Sequence, residues 1–125
     1  MSYDWTTHKP DGHVDRSINF GSGTLHYLLE AMRDRQLLDE QTPMPDWPDE
    51  EAPEYDEQWR ALSATRSPNP LQIPACKLRD QNGWLIRTEE CYLLVHRLGR
   101  VQEPHVKRLV DFARYAVSKG GFTVS

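Results

Sequence analysis

Apolar residues recur at helical spacing in several stretches of this chain. Four of them follow the glycine-rich break at 21–23 and fall at i, i+3, i+4 and i+7: Leu25, Leu28, Leu29 and Met32. A last helix opens after Pro104, and its apolar side is formed by Val106, Leu109, Val110, Ala113 and Val117. Two further helices are predicted, one beginning at Pro53 and one running from Thr88 to Gly99.

Short alternating stretches predict strands near 17–20, 71–74, 84–86 and 121–124. Asn82-Gly83 precedes the third strand, and this dipeptide favours a tight turn because glycine adopts positive φ angles readily. The polar residues 1–16 predict a loose N-terminal arm. A chain of 125 residues is expected to form one domain. We therefore predict a single α+β domain over residues 1–125, with three to four helices packed on a small, short-stranded sheet.

Charge divides the chain more sharply than hydropathy does. Residues 36–59 contain nine Asp and Glu and no Lys or Arg, whereas residues 60–125 contain eleven Lys and Arg against five Asp and Glu. Four prolines between 43 and 53 exclude regular helix or a central strand there. We call residues 39–57 the acidic segment. The net charge of −4 thus averages an anionic segment and a basic second half.

Aromatic side chains lie among the carboxylates of the acidic segment and just after it. Anchoring aromatic residues surrounded by one sign of charge are typical of an interface that meets an oppositely charged surface. The predicted partner-binding residues are Trp47, Asp49, Glu50, Glu51, Glu54, Tyr55 and Trp59. The sequence therefore predicts a non-enzymatic interaction protein whose partner is a protein with a basic surface. If that surface normally holds nucleic acid, the chain would act as an inhibitor of a nucleic-acid-handling system.

Part of the second half resembles a pattern in small uncharacterised bacterial and phage proteins. The matching stretches are Ile73-Pro74-Ala75-Cys76-Lys77, Asn82-Gly83-Trp84-Leu85-Ile86, Thr88-Glu89-Glu90 and Gly120-Gly121-Phe122-Thr123-Val124. The resemblance implies bacterial or phage character. It implies no activity, because that family has no assigned function.

A DNA-binding regulator is the first alternative. Six basic residues lie on or beside the last two predicted helices: Arg97, Arg100, Lys107, Arg108, Arg114 and Lys119. The acidic net charge and the interruption by Asp111 weigh against this alternative, since specific DNA readers usually carry a clearly basic footprint.

A small Cys/His enzyme is the second alternative. Cys76, Cys91, His96 and His105 could supply thiolate or imidazole, but they lack the close ligand pairs of structural zinc sites. Cys91 lies in the first turn of a predicted helix, where the helix dipole lowers a thiol pKa, while Glu89 and Glu90 beside it raise it. We therefore predict no catalytic residue, metal ligand or cofactor.

The two cysteines and the absence of a long apolar run bear on location. Membrane-spanning helices need about 20 mostly apolar residues, and no stretch of this chain approaches that length. The first residues also lack the basic and apolar regions of a signal peptide. These features predict a cytoplasmic protein with reduced cysteines and no membrane partner.

Overall fold

A computed structural model describes residues 2–125. Its elements in chain order are β1 (Ser2–His8), β2 (Val14–Gly21), α1 (Ser22–Asp34), β3 (Leu38–Asp39), α2 (Tyr55–Ser63), β4 (Ile73–Pro74), α3 (Ala75–Arg79), β5 (Trp84–Ile86), α4 (Thr88–Leu98), α5 (Pro104–Val117) and β6 (Phe122–Val124). This is the predicted α+β class, with five helices packed on a four-stranded antiparallel sheet and a separate two-stranded sheet.

The main sheet has the strand order β2-β1-β6-β5, and its helix-facing side carries the core. Trp5 pairs with Val124, which pairs in turn with Trp84, so the three side chains share one face of the sheet. The Trp5 ring stacks on Phe122 with 4.3 Å between centroids. Helix α5 packs against both α1 and α4, and its Leu109 is fully buried. The apolar side predicted for the last helix therefore lies in the core, with Val106, Leu109, Val110 and Ala113 buried and Val117 half-buried.

The N-terminal arm predicted for residues 1–16 is wrong for the residues that the structure describes; Met1 lies outside them. Strand β1 lies between β2 and β6, and Trp5 is fully buried. Tyr3, Trp5 and Thr7 alternate on the helix-facing side, and such aromatic and β-branched residues favour strands. The intervening polar residues, which point to the other face, gave the stretch its loop-like composition.

The strand predicted at 71–74 does not join the main sheet. Only Ile73–Pro74 is extended, and it pairs in parallel with Leu38–Asp39 to form the small second sheet. The five-residue helix α3 follows immediately and was not predicted, because it is too short to show helical periodicity. These short elements place the start of the acidic segment beside the loop that follows α2.

The turn predicted at Gly83 is confirmed by its backbone angle, and a glycine after α5 has a similar one. Gly83 has a φ of 90° in the turn before β5, and Gly121 has a φ of 96° after α5. A Cβ atom at Gly121 would also lie 2.1 Å from the carbonyl oxygen of Ile86. Glycine is therefore required at 121 both by its conformation and by the close approach of β5.

Candidate functional site

The acidic segment carries the most exposed aromatic side chain of the predicted set. Trp47 lies in the irregular stretch before α2, and Trp59 lies on α2 itself. The two indole rings stack with 4.6 Å between centroids and 15° between planes. Trp47 remains 48% exposed, while Trp59 is half-buried beneath it. The indole ring of Trp47 is therefore half-exposed to solvent, and its orientation is set by the stacking on Trp59.

The stacked pair rests on a third tryptophan. Trp84 of β5 is fully buried and meets Trp59 at 5.4 Å and 62°. Its indole Nε1 donates to a carboxylate oxygen of Asp80. We call Trp47, Trp59 and Trp84 the tryptophan cluster. It joins the acidic segment to an edge strand of the main sheet, because Trp84 belongs to both the cluster and β5.

Carboxylates surround the tryptophan cluster along the chain. Seven lie between 46 and 57, and all seven are exposed: Asp46, Asp49, Glu50, Glu51, Glu54, Asp56 and Glu57. None of the nine ion pairs formed within residues 2–125 involves any of them. Tyr55, the other predicted aromatic residue, is half-buried on the first turn of α2. The exposed carboxylates thus flank a half-exposed indole along the chain.

The first two carboxylates of the acidic segment behave differently. Glu40 accepts hydrogen bonds from Arg33 and Arg79, each at 2.8 Å, and these cations hold its pKa at about 2. Asp39 is 5% exposed. Burial alone would raise the pKa of Asp39, but hydrogen bonds from Thr42, Ser67 and nearby backbone amides outweigh it and leave the pKa at about 2. This end of the segment belongs to the folded body.

A buried ion pair fixes α3 against α4. Lys77 Nζ donates to Glu90 Oε1 at 2.6 Å and to the carbonyl oxygen of Thr65 at 2.7 Å, and both charged side chains are fully buried. Glu90 Oε1 also accepts from the backbone N–H of Arg87 at the start of α4. Burial lowers the pKa of Lys77, and the neighbouring Glu90 partly offsets that shift. The pair therefore ties three chain segments together.

Most basic side chains of the second half form a hydrogen bond or an ion pair within the molecule. Seven of the eleven do so: Arg66, Lys77, Arg79, Arg87, Arg97, Arg108 and Arg114. Within residues 2–125 the other four side chains form no ion pair or hydrogen bond: Arg60, Arg100, Lys107 and Lys119. Three of the six basic residues considered for the DNA-binding alternative are thus already paired within the molecule: Arg97, Arg108 and Arg114.

The cysteines and histidines considered for the enzyme alternative do not form one site in the residues that the structure describes. Cys91 is fully buried, and burial together with Glu90 raises its pKa to about 12, which leaves essentially no thiolate at neutral pH. Burial also raises the pKa of the half-buried Cys76. His96 stacks on Tyr92 at one exposed site, and His105 stacks on Tyr27 at another. Across residues 2–125, no three His, Cys, Asp or Glu side chains are placed to hold a metal ion.

Two contributors to this surface were not predicted as site residues. Trp84 was predicted as a strand residue, yet its ring forms the base of the tryptophan cluster. Ser67, 28 positions after Asp39, donates to that carboxylate at 2.7 Å. Both relations depend on tertiary contacts between distant segments. The abundance of tryptophan, four in 125 residues, was the one sequence signal that pointed to an aromatic cluster.

Comparison with known proteins adds no family to this description. No family model, curated protein or solved structure matches the chain. The resemblance to small bacterial and phage proteins therefore stays a prediction. Among residues 2–125, no helix combines the length and the apolar character needed to cross a bilayer.

Proposed function

We propose that this protein is a non-enzymatic interaction protein that binds the basic surface of another protein through the tryptophan cluster and the carboxylates at 46–57. The observation that supports this most strongly is the half-exposed Trp47, which stacks on Trp59 and lies in a stretch of chain with seven exposed carboxylates that form no ion pair within residues 2–125. Unpaired charges of one sign are repelled by one another, so a cationic partner stabilises them.

The arrangement favours an anchored contact rather than a diffuse charge attraction alone. Tryptophan is among the residues that contribute most to interface energy, especially where the ring is already held before binding. The exposed face of Trp47 suits an arginine or lysine side chain, because a cation is attracted to an indole face. Carboxylates around such a contact would steer the partner and fix its orientation.

A basic protein surface that normally binds nucleic acid fits this chemistry well. The exposed carboxylates would then occupy positions otherwise taken by phosphates. In that form the protein acts as an inhibitor of a nucleic-acid-handling system, which agrees with the implied bacterial or phage character.

The test is affinity capture from cells of the host organism with three versions of the protein. One version changes Glu50, Glu51 and Glu54 to serine; all three are exposed. A charge-matched control changes Glu30, Asp34 and Asp111 to serine. These three residues are also exposed and lie on α1 and α5. A genuine partner is retained by wild type and by the control and is lost with the first variant. Equal capture by all three versions would contradict the proposal.

A further inference from the structure

A cavity of about 370 Å³ opens beside Asp39, at the junction of the acidic segment and the loop after α2. This volume lies at the small end of the range for ligand pockets, about 300–1,000 Å³. Its wall includes the residues on which the argument depends: Asp39, Thr42, Pro43, Ser67, Pro68 and Gln72. We call this cavity the Asp39 pocket.

The charge of Asp39 is stabilised by neutral donors only. Its Oδ1 accepts from the backbone N–H groups of Gln41 at 2.9 Å and Thr42 at 3.1 Å. Its Oδ2 accepts from the hydroxyl groups of Thr42 and Ser67. No ion pair formed within residues 2–125 includes this carboxylate. The buried negative charge of Asp39 thus lies in the pocket wall, and no cationic side chain within residues 2–125 forms an ion pair with it.

The hydrogen-bond pattern fixes which groups the pocket presents. An ionised carboxylate can only accept, so the hydroxyl hydrogens of Thr42 and Ser67 must both point at Asp39. Their lone pairs remain, and Ser67 Oγ uses one of them to accept from the N–H of Asn69. Gln72 donates its side-chain amide to the carbonyl oxygen of Gln36, which leaves its own carbonyl oxygen as an acceptor. The Thr42 hydroxyl and the Gln72 carbonyl oxygen therefore remain available as acceptors in the wall.

We propose that the Asp39 pocket binds an organic cation that carries N–H donors, either a guanidinium or a primary ammonium group. The N–H groups would donate to the Thr42 hydroxyl and the Gln72 carbonyl oxygen, and the positive charge would lie over the buried carboxylate. Pro43 and Pro68 supply apolar wall for the rest of the ligand. The source is an arginine or lysine side chain or a free small amine. This site is separate from the tryptophan cluster, and neither proposal depends on the other.

The first test is an NMR titration of the backbone amides with methylguanidinium and with tetramethylammonium. Both ions carry one positive charge, but only methylguanidinium has N–H donors. Methylguanidinium should shift the amides of Gln41, Thr42 and Asn69, and tetramethylammonium should leave them unchanged. Equal shifts with both ions, or no shift with methylguanidinium, would overturn the proposal.

Variants at Thr42 test the geometry. Thr42→Val keeps the shape and removes the hydroxyl, whereas Thr42→Ser keeps the hydroxyl. The valine variant should weaken methylguanidinium binding about tenfold or more, a difference of about 1.4 kcal/mol. The serine variant should bind like wild type, and equal binding by both would overturn the proposal. If Thr42→Val does not give a folded spectrum, Gln72→Met removes another acceptor and makes the same test.

Two peptides identify the source of the cation. A short capped peptide with one arginine is compared with the same peptide carrying citrulline, which has the same shape without the charge. Tighter binding of the arginine peptide than of methylguanidinium identifies a protein side chain as the ligand, and exclusion of the peptide identifies a free small cation. The variant with serine at 50, 51 and 54 should still bind methylguanidinium, so the two proposals fail independently.

Discussion

The two charged regions of this molecule use their charges in different ways. In the second half, seven of eleven basic side chains form a hydrogen bond or an ion pair inside the protein, and Lys77 is fully buried. Between 46 and 57, seven carboxylates are exposed and form no ion pair within residues 2–125. Most basic side chains of the second half are therefore paired within the protein, while the charges at 46–57 remain available for a partner.

The comparison also divides the acidic segment. Asp39 and Glu40 follow the pattern of the second half, since both are held by hydrogen bonds in the folded body. The seven carboxylates at 46–57 form no ion pair within residues 2–125. A run of like charges in a sequence thus says little about role until the pairing of each member is known.

The largest effect is expected at the buried ion pair. Lys77→Met should lower the free energy of unfolding by about 3–5 kcal/mol, because it removes the hydrogen-bonded cation of the buried Glu90 carboxylate and leaves only Arg66, whose Nε lies 3.8 Å from Glu90 Oε2. Urea unfolding measures the change. The double variant Lys77→Met with Glu90→Met should recover part of the loss. A single-variant effect below about 0.5 kcal/mol would place the pair among solvated surface charges instead.

The next effect concerns Asp39 and depends on pH. Its pKa of about 2 lies below the ordinary value of 3.8, so its contribution is present above the ordinary value and is lost as pH falls toward 2. Asp39→Asn should cost on the order of 2 kcal/mol at pH 7. The difference from wild type should shrink between pH 4 and pH 2, the interval spanned by the two pKa values. Glu40 titrates in both proteins and cancels in the comparison.

Trp47→Ala should have a smaller effect on folding. The ring is half-exposed and stacks on Trp59, and an aromatic pair contributes about 0.5–1.5 kcal/mol beyond its buried area. Denaturant unfolding followed by tryptophan fluorescence measures this cost. A loss of 3 kcal/mol or more, the scale of about a full core truncation, would mean that the tryptophan cluster serves the core more than a partner.

The smallest effect is expected from the exposed carboxylates. Changing Glu50, Glu51 and Glu54 to serine should alter the free energy of unfolding by less than about 0.5 kcal/mol, as is usual for surface sites. A slight gain is consistent with relief of like-charge repulsion. A clear loss of stability would show that these carboxylates have partners in the folded protein, which would remove the contrast between the two regions.

Much of the fold could be predicted because its longer elements follow simple periodicities. In helix α5 the buried face is formed by Val106, Leu109 and Val110, which follow the helical period. A glycine at 83 and one at 121 indicate that the chain turns at each position. Strand β1 was missed because it is half polar, with Asp4 and Thr6 facing away from the helices. The two-residue strands and α3 are too short for any period to appear.

The sequence predicts which residues belong to the candidate site, but it does not predict the tertiary contacts that hold them. The sequence marks Trp47, Trp59 and the carboxylates as a group, since they lie close together in the chain. It carries no sign that Trp84 supports them or that Ser67 reaches Asp39, because both contacts join distant segments. Pairing of charges is likewise a tertiary property.

The central claim is that the carboxylates at 46–57 act in binding and not in folding. It is tested most directly by the association rate with the captured partner, measured by surface plasmon resonance at two ionic strengths. Wild-type association should slow markedly as salt rises, and the variant with serine at 50, 51 and 54 should associate more slowly with a weaker salt dependence. The charge-matched control at 30, 34 and 111 should behave like wild type. Identical rates and salt dependence for all three proteins would contradict the account.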